Sequence, residues 1–140
     1  MAGASAVLLP WDNSYSVNVA AMDSQHKNLV GIINELHQAM STGSGKNKLS
    51  EILSKLIGYT KGHFAAEEGL LQSHAYPDLA SQKAEHERLT GTVMNFQRRF
   101  LSNEIGLTVE VMDFLKNWLR THILDLDKKY SPFLNGKGVR

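Results

Sequence analysis

Apolar side chains recur along this chain at steps of three and four, the period of a helix buried along one face. The first stripe is Met22, His26, Leu29, Ile33, Leu36 and Met40. The second is Leu49, Ile52, Leu53, Leu56, Thr60, His63, Phe64, Glu67 and Leu71. The third is Leu79, Gln82, His86, Leu89, Val93, Phe96 and Phe100, and the fourth is Val111, Phe114, Leu115, Trp118 and His122. These stripes predict helices over about 23–40, 47–74, 79–100 and 108–130, with Asp23 and Asp78 as candidate N-caps. The breaks are Ser41-Thr42-Gly43-Ser44-Gly45, Tyr76-Pro77-Asp78 and Ser102 to Gly106. Residues 1–20, where Val17 and Val19 alternate, read as an extended arm with Trp11 tucked against the body. The Gly-rich tail from Asn135 to Arg140 reads as frayed. Strand signals are nearly absent. The prediction is an all-α fold in one domain, 1–140: an antiparallel up-down-up-down four-helix bundle behind an extended N-terminal arm.

The inward stripes are not purely apolar. His26 lies on the first, His63 and Glu67 on the second, Gln82 and His86 on the third, and His122 with Asp127 at the end of the fourth. A buried polar group needs a partner, and a buried ion needs one badly. His63 and Glu67 are four apart, as are Gln82 and His86, so each pair shares a helix face. His122 and Asp127 are five apart, off register by roughly 140° on a regular helix. They converge only if the helix distorts or ends between them. In an antiparallel bundle, residues early in helices one and three meet residues late in helices two and four. The seven residues therefore form one cluster at one end, and a shared metal centre would satisfy them together. Imidazole and carboxylate donors suit Fe, Zn, Mn, Ni or Cu. Two carboxylates among four histidines exceed one tetrahedral zinc and suit two bridged metals. Rival carboxylates stand beside each choice: Glu68 next to Glu67, and Asp125 three residues after His122. Gln82 is either a direct ligand or a hydrogen-bonding core residue.

Composition narrows the remainder. The 140 residues are 42% hydrophobic and 21% charged, ordinary for a globular domain. The absence of Cys excludes disulfides, iron–sulfur clusters and thiolate sites. A net charge of +1 without a basic run makes no case for nucleic acid. No stretch approaches the ~20 apolar residues of a membrane span, and Met1 to Pro10 makes a poor signal peptide. The expected setting is cytoplasmic. His37 and His74 fall off the cluster, the Met residues at 22, 40, 94 and 112 read as core, and Lys83, Arg88, Arg98 and Arg99 as a solvated face.

Four separated segments agree in order and spacing with a known pattern. They are Asp23-Ser-Gln-His26, His63-Phe-Ala-Ala-Glu67-Glu68, Tyr76-Pro77 with His86, and Trp118-Leu-Arg-Thr-His122-Ile-Leu-Asp-Leu-Asp127. With Tyr130 and Phe133 closing the pattern, the chain from about Trp11 to Leu134 resembles the bacterial hemerythrins in their single-domain form. There is no Glu-x-x-His motif of the ferritin type. The resemblance implies two non-haem iron ions, joined by an oxo or hydroxo bridge, that bind O2 reversibly. It implies His26 and His63 on one iron, His86 and His122 on the other, and Glu67 and Asp127 bridging both. It implies an apolar O2 pocket at Leu29, Phe64, Trp118, Leu119 and Ile123. The family has a third histidine on the second iron, where this chain has Gln82. The reading is an oxygen carrier, store or sensor. The alternative is a di-iron enzyme acting on peroxide, NO or O2 through a position opened at Gln82: a peroxidase, oxidase or NO reductase. A metal-free or mononuclear bundle is the third reading. The protein partner or electron donor is not legible.

Overall fold

A computed structural model describes residues 8–106 and 109–140, so expectations for residues 1–7 and for Thr108 lie outside the described residues. Five α-helices follow in order: α1 Ala20–Ser41, α2 Lys46–Ser73, α3 Leu79–Leu101, α4 Val109–Thr121 and α5 Ser131–Gly136. The first four make the bundle. α1 packs on α2, α2 on α3, and α4 returns to α1. Leu29, Ile33, Leu36, Leu53, Leu56, Leu71, Leu115 and Leu119 are fully buried along its axis. No helix among the described residues is long and apolar enough to cross a membrane.

The expected fourth helix, 108–130, is not one regular helix. α4 gives way at His122–Leu126 to a π-helical turn, followed by a 3-10 turn at Asp127–Tyr130 and then α5. The Asp127 N–H bonds to the carbonyls of both His122 and Ile123. An i→i+5 bond widens the turn, and this brings Asp127 back over His122 across a spacing that a regular helix would splay. The distortion that the five-residue spacing required is therefore present. Pro132 fits the first turn of α5, where a missing N–H costs nothing.

The ends of the chain also differ from expectation. α1 begins at Ala20, and its N-cap position is Val19, with no side-chain bond. Asp23 is not the cap. Its carboxylate instead reaches back to the arm, accepting from Ser16 Oγ at 2.6 Å and from the Val17 N–H at 2.8 Å. Asp78 does hold the N-cap position of α3, but its side chain makes no capping bond. The arm is pinned rather than merely extended. Leu9, Val17 and Val19 are buried, and Leu9 pairs both backbone groups with the Asn34 amide at 2.9 Å. Trp11 meets Tyr15 edge-on and lies under the Lys27 ammonium, 5.2 Å from the ring centre. The tail is not frayed from Asn135 onward. Asn135 Nδ2 donates to the Asn18 and Val139 carbonyls, and Leu134 is fully buried. Phe114, on the fourth stripe, is 44% exposed, and Met94, expected in the core, is 42% exposed, so neither is core.

Asp23→Ala removes the acceptor for two bonds that dock the arm. Bonds to a charged group contribute about 1.5–3 kcal/mol each, less where water can replace them. We expect a loss of about 2 kcal/mol in urea unfolding, with faster proteolysis before residue 20. Unchanged stability and unchanged proteolysis would show that the arm docks through Val17 and Val19 alone.

Candidate metal centre

Four inward positions of the bundle converge on two carboxylates. Glu67, late in the second stripe, is 0% exposed, as is Asp127 after the π turn. Glu67 Oε1 lies 3.4 Å from His63 Nε2, 3.1 Å from His86 Nε2 and 3.4 Å from His122 Nε2. Its other oxygen lies 3.6 Å from His26 Nε2 and accepts from the Tyr130 hydroxyl at 2.7 Å. Asp127 Oδ2 lies 2.7 Å from both His26 Nε2 and His122 Nε2. Asp127 Oδ1 accepts from Gln82 Nε2 at 2.8 Å. All seven sequence-predicted residues are thus buried and joined in one contact network. Ligand atoms of His26, His63, Glu67, His122 and Asp127 all lie within 4.8 Å of one another. His86 stands outside that inner group, at the Glu67 edge.

The two rival carboxylates separate cleanly. Asp125 faces solvent. Glu68 is half-buried and accepts from His86 Nδ1 at 2.8 Å, so it holds the back of a cluster histidine. Gln25 does the same for His63, at 2.6 Å from Nδ1. Gln82 takes the hydrogen-bonding role through its amide nitrogen. Three contributors had no such role in the sequence reading: Gln25 and Tyr130 appeared only within the matched segments, and Glu68 only as the rival to Glu67. Gln25 and Glu68 sit next to inward residues, off the stripe, where position alone reads as surface. Tyr130 follows Asp127 by three, a spacing that points inward only once the 3-10 turn is known. His37 and His74 share no bond with the cluster, and His74 Nδ1 faces the Leu70 carbonyl at 2.9 Å.

The partners of the Nδ1 atoms assign the ring protons. With Nδ1–H donated to Gln25, His63 keeps a lone pair on its inward Nε2. With Nδ1–H donated to Glu68, His86 does likewise. That His86 lone pair faces Glu67 Oε1 at 3.1 Å, and neither atom has a hydrogen-bond partner. Two electron pairs at that distance repel unless a proton or a cation lies between them. Such an arrangement fits a metal of the imidazole- and carboxylate-binding kind.

Electrostatics of the metal-free cluster point the same way. Burial pulls the His63 pKa down to about 3, past the opposing charge of Glu67. Burial also opposes protonation of His122, but the carboxylates of Asp127 and Glu67 outweigh it and push its pKa up to about 10. Burial would raise Glu67, yet His122, Asp127 and His63 hold it well below the usual carboxylate range. Asp127 is raised, by burial and by the charge of Glu67.

The apolar residues expected to line a small-molecule pocket are all buried: Leu29, Phe64, Trp118, Leu119 and Ile123. Phe64 lies flat on His86, with centroids 3.9 Å apart and planes at 1°, and its centroid is 4.8 Å from that of His122. Trp118 sits beyond it at 6.5 Å and donates its indole N–H to the Leu89 carbonyl.

The pKa directions predict a pH optimum for the metal-free chain. Unfolded His63 takes a proton near 6.5 while the folded residue resists until about 3, so stability falls as pH drops below 6.5. Folded His122 keeps its proton up to about 10, so the stability it contributes is full below 6.5 and is lost as pH rises toward 10. Denaturant midpoints of chelator-treated protein should therefore peak near neutrality and fall between pH 7 and 9.5. A flat alkaline limb would contradict the assigned proton on His122.

Comparison with known proteins follows the same geometry. A sequence profile described as the hemerythrin HHE cation binding domain matches residues 17–134. A bacteriohemerythrin of Methylococcus capsulatus is 34% identical over 129 residues, covering 91% of this chain and 98% of the relative. One from Stenotrophomonas maltophilia is 31% identical, covering 89% and 80%. Among solved structures, a wild-type hemerythrin superposes with a TM-score of 0.83 at 34% identity, covering 89% of this chain and 96% of that one. With the profile spanning most of the chain and the buried His, Glu and Asp cluster inside it, this protein belongs to the hemerythrin family.

Proposed function

We propose that this chain is a non-haem di-iron protein that binds O2 inside the bundle, as an oxygen carrier, store or sensor. One observation carries the reading: each buried carboxylate touches histidines of both proposed halves. Glu67 contacts His26 and His63 as well as His86 and His122. Asp127 contacts His26 and His122. His26 and His63 would hold one iron, His86 and His122 the other, and Glu67 and Asp127 would span the two. The names of the relatives, which are bacteriohemerythrins, support the reading of a hemerythrin-type iron protein.

Two ferrous ions bound here, closed by an oxo or hydroxo bridge when oxidised, would supply the electrons that hold O2. The protein's own part is to fix and shelter that chemistry. Tyr130 donates to Glu67 and Gln82 donates to Asp127, so each spanning carboxylate has one oxygen steadied from behind. Phe64, Trp118, Leu29, Leu119 and Ile123 exclude water and thereby disfavour escape of charged products.

A second reading has a specific observation behind it. The Gln82 amide is engaged with Asp127, at the position where the family pattern has a histidine. One iron would then be a donor short, which favours catalysis on peroxide, NO or O2 over reversible binding.

Reduced, iron-loaded protein should gain a visible absorption band on exposure to O2 and lose it on degassing, through repeated cycles. Irreversible oxidation on first exposure would overturn the binding reading. Gln82→His should slow autoxidation several-fold and abolish any peroxide-driven turnover. Unchanged rates would remove the second reading.

A further inference from the structure

Glu68 stands at the border of the cluster. One residue after Glu67, about 100° around α2, its side chain is 27% exposed and faces the groove between α2 and α3. Lys61, Lys83, Glu87 and Met94 line that groove, with Phe64 and His86 as its inner wall. Among the described residues, no lysine or arginine lies within ion-pair distance of Glu68. Among the described residues, its hydrogen-bond partner is His86 Nδ1, at 2.8 Å.

The four cluster histidines are backed unequally. His63 Nδ1 faces the neutral amide oxygen of Gln25. The Nδ1 atoms of His26 and His122 have no hydrogen-bond partner among the described residues. Among the described residues, only His86 has a carboxylate behind its Nδ1. A carboxylate acceptor pulls on the ring N–H, orients the imidazole and makes the far nitrogen a better donor. His86 lies one turn after Gln82 on α3, so it belongs to the half of the centre in which an amide stands in place of an imidazole.

We propose that Glu68 is a positioning residue whose charge strengthens His86 as a metal donor and retains the metal in the half of the centre weakened at Gln82. This rests on the di-iron reading. Phe64, stacked on the same ring, fixes the plane in which Glu68 acts. Glu68 itself touches no metal. Its effect passes entirely through the imidazole.

Cobalt(II), titrated by calorimetry into chelator-treated full-length protein, tests this. Wild type should show two binding events per chain. Glu68→Gln keeps the length and an acceptor oxygen but removes the charge. It should weaken one event by about 10–100-fold and leave the other intact, with far-UV circular dichroism and unfolding midpoint unchanged. Gln25→Ala should weaken the opposite event. Two unchanged affinities in Glu68→Gln would overturn the proposal, as would equal weakening of both. Full affinity in Glu68→Gln with a loss only in Glu68→Ala would show that orientation matters and charge does not. Fewer than two events in wild type would instead sink the di-iron reading, and this inference with it.

Discussion

Two carboxylates buried among four imidazoles set the terms for the rest of the structure. Glu67 and Asp127 are wholly shielded from water, and ionised groups in such a place are costly unless paired. Each is surrounded by histidine nitrogens at 2.7 to 3.6 Å and by one neutral donor, Tyr130 or Gln82. Hydrogen bonds donated to Gln25 and Glu68 turn two of those imidazoles so that their lone pairs face inward. The consequence is a cage with more acceptors than donors. Protons can fill it in part, and cations fill it better.

The bundle is the frame that makes this cage tolerable. Its axis is built from large aliphatic side chains at zero exposure, so hydrophobic burial offsets the desolvation of the polar end. The π turn at His122–Leu126 is the local adjustment that lets one helix end present both a histidine and an aspartate to the same point. π turns are rare and cluster at functional sites, and here the reason is geometric: without the wider turn, Asp127 would leave the cage. α5 and the docked arm then close the chain ends through Asn135 on Asn18 and Asp23 on Val17.

The inward polar residues were legible because a histidine on an apolar stripe violates the pattern that otherwise explains the stripe. His26, His63, Glu67, Gln82 and His86 could be read by spacing alone. Asp127 could not, since its five-residue offset from His122 requires a backbone form that local sequence does not announce. Asp23 was misread for a related reason: capping chemistry and loop-docking chemistry use the same side chain, and only the position of Val17 decides between them. Phe114 lies on the fourth stripe and Met94 beside the third, yet both are exposed, Met94 on the groove between α2 and α3 and Phe114 on a groove lined by α3 residues. The roles of Gln25 and Glu68 stayed hidden because their partners are ring nitrogens on other helices, which only the assembled bundle brings near.

Counting iron tests the central claim most directly. The chain, reconstituted anaerobically with ferrous iron and freed of loosely held metal, should retain two iron atoms, with Mössbauer spectra of the oxidised form showing magnetic coupling between them. One iron or none, or two uncoupled ferric sites, would contradict a centre spanned by Glu67 and Asp127.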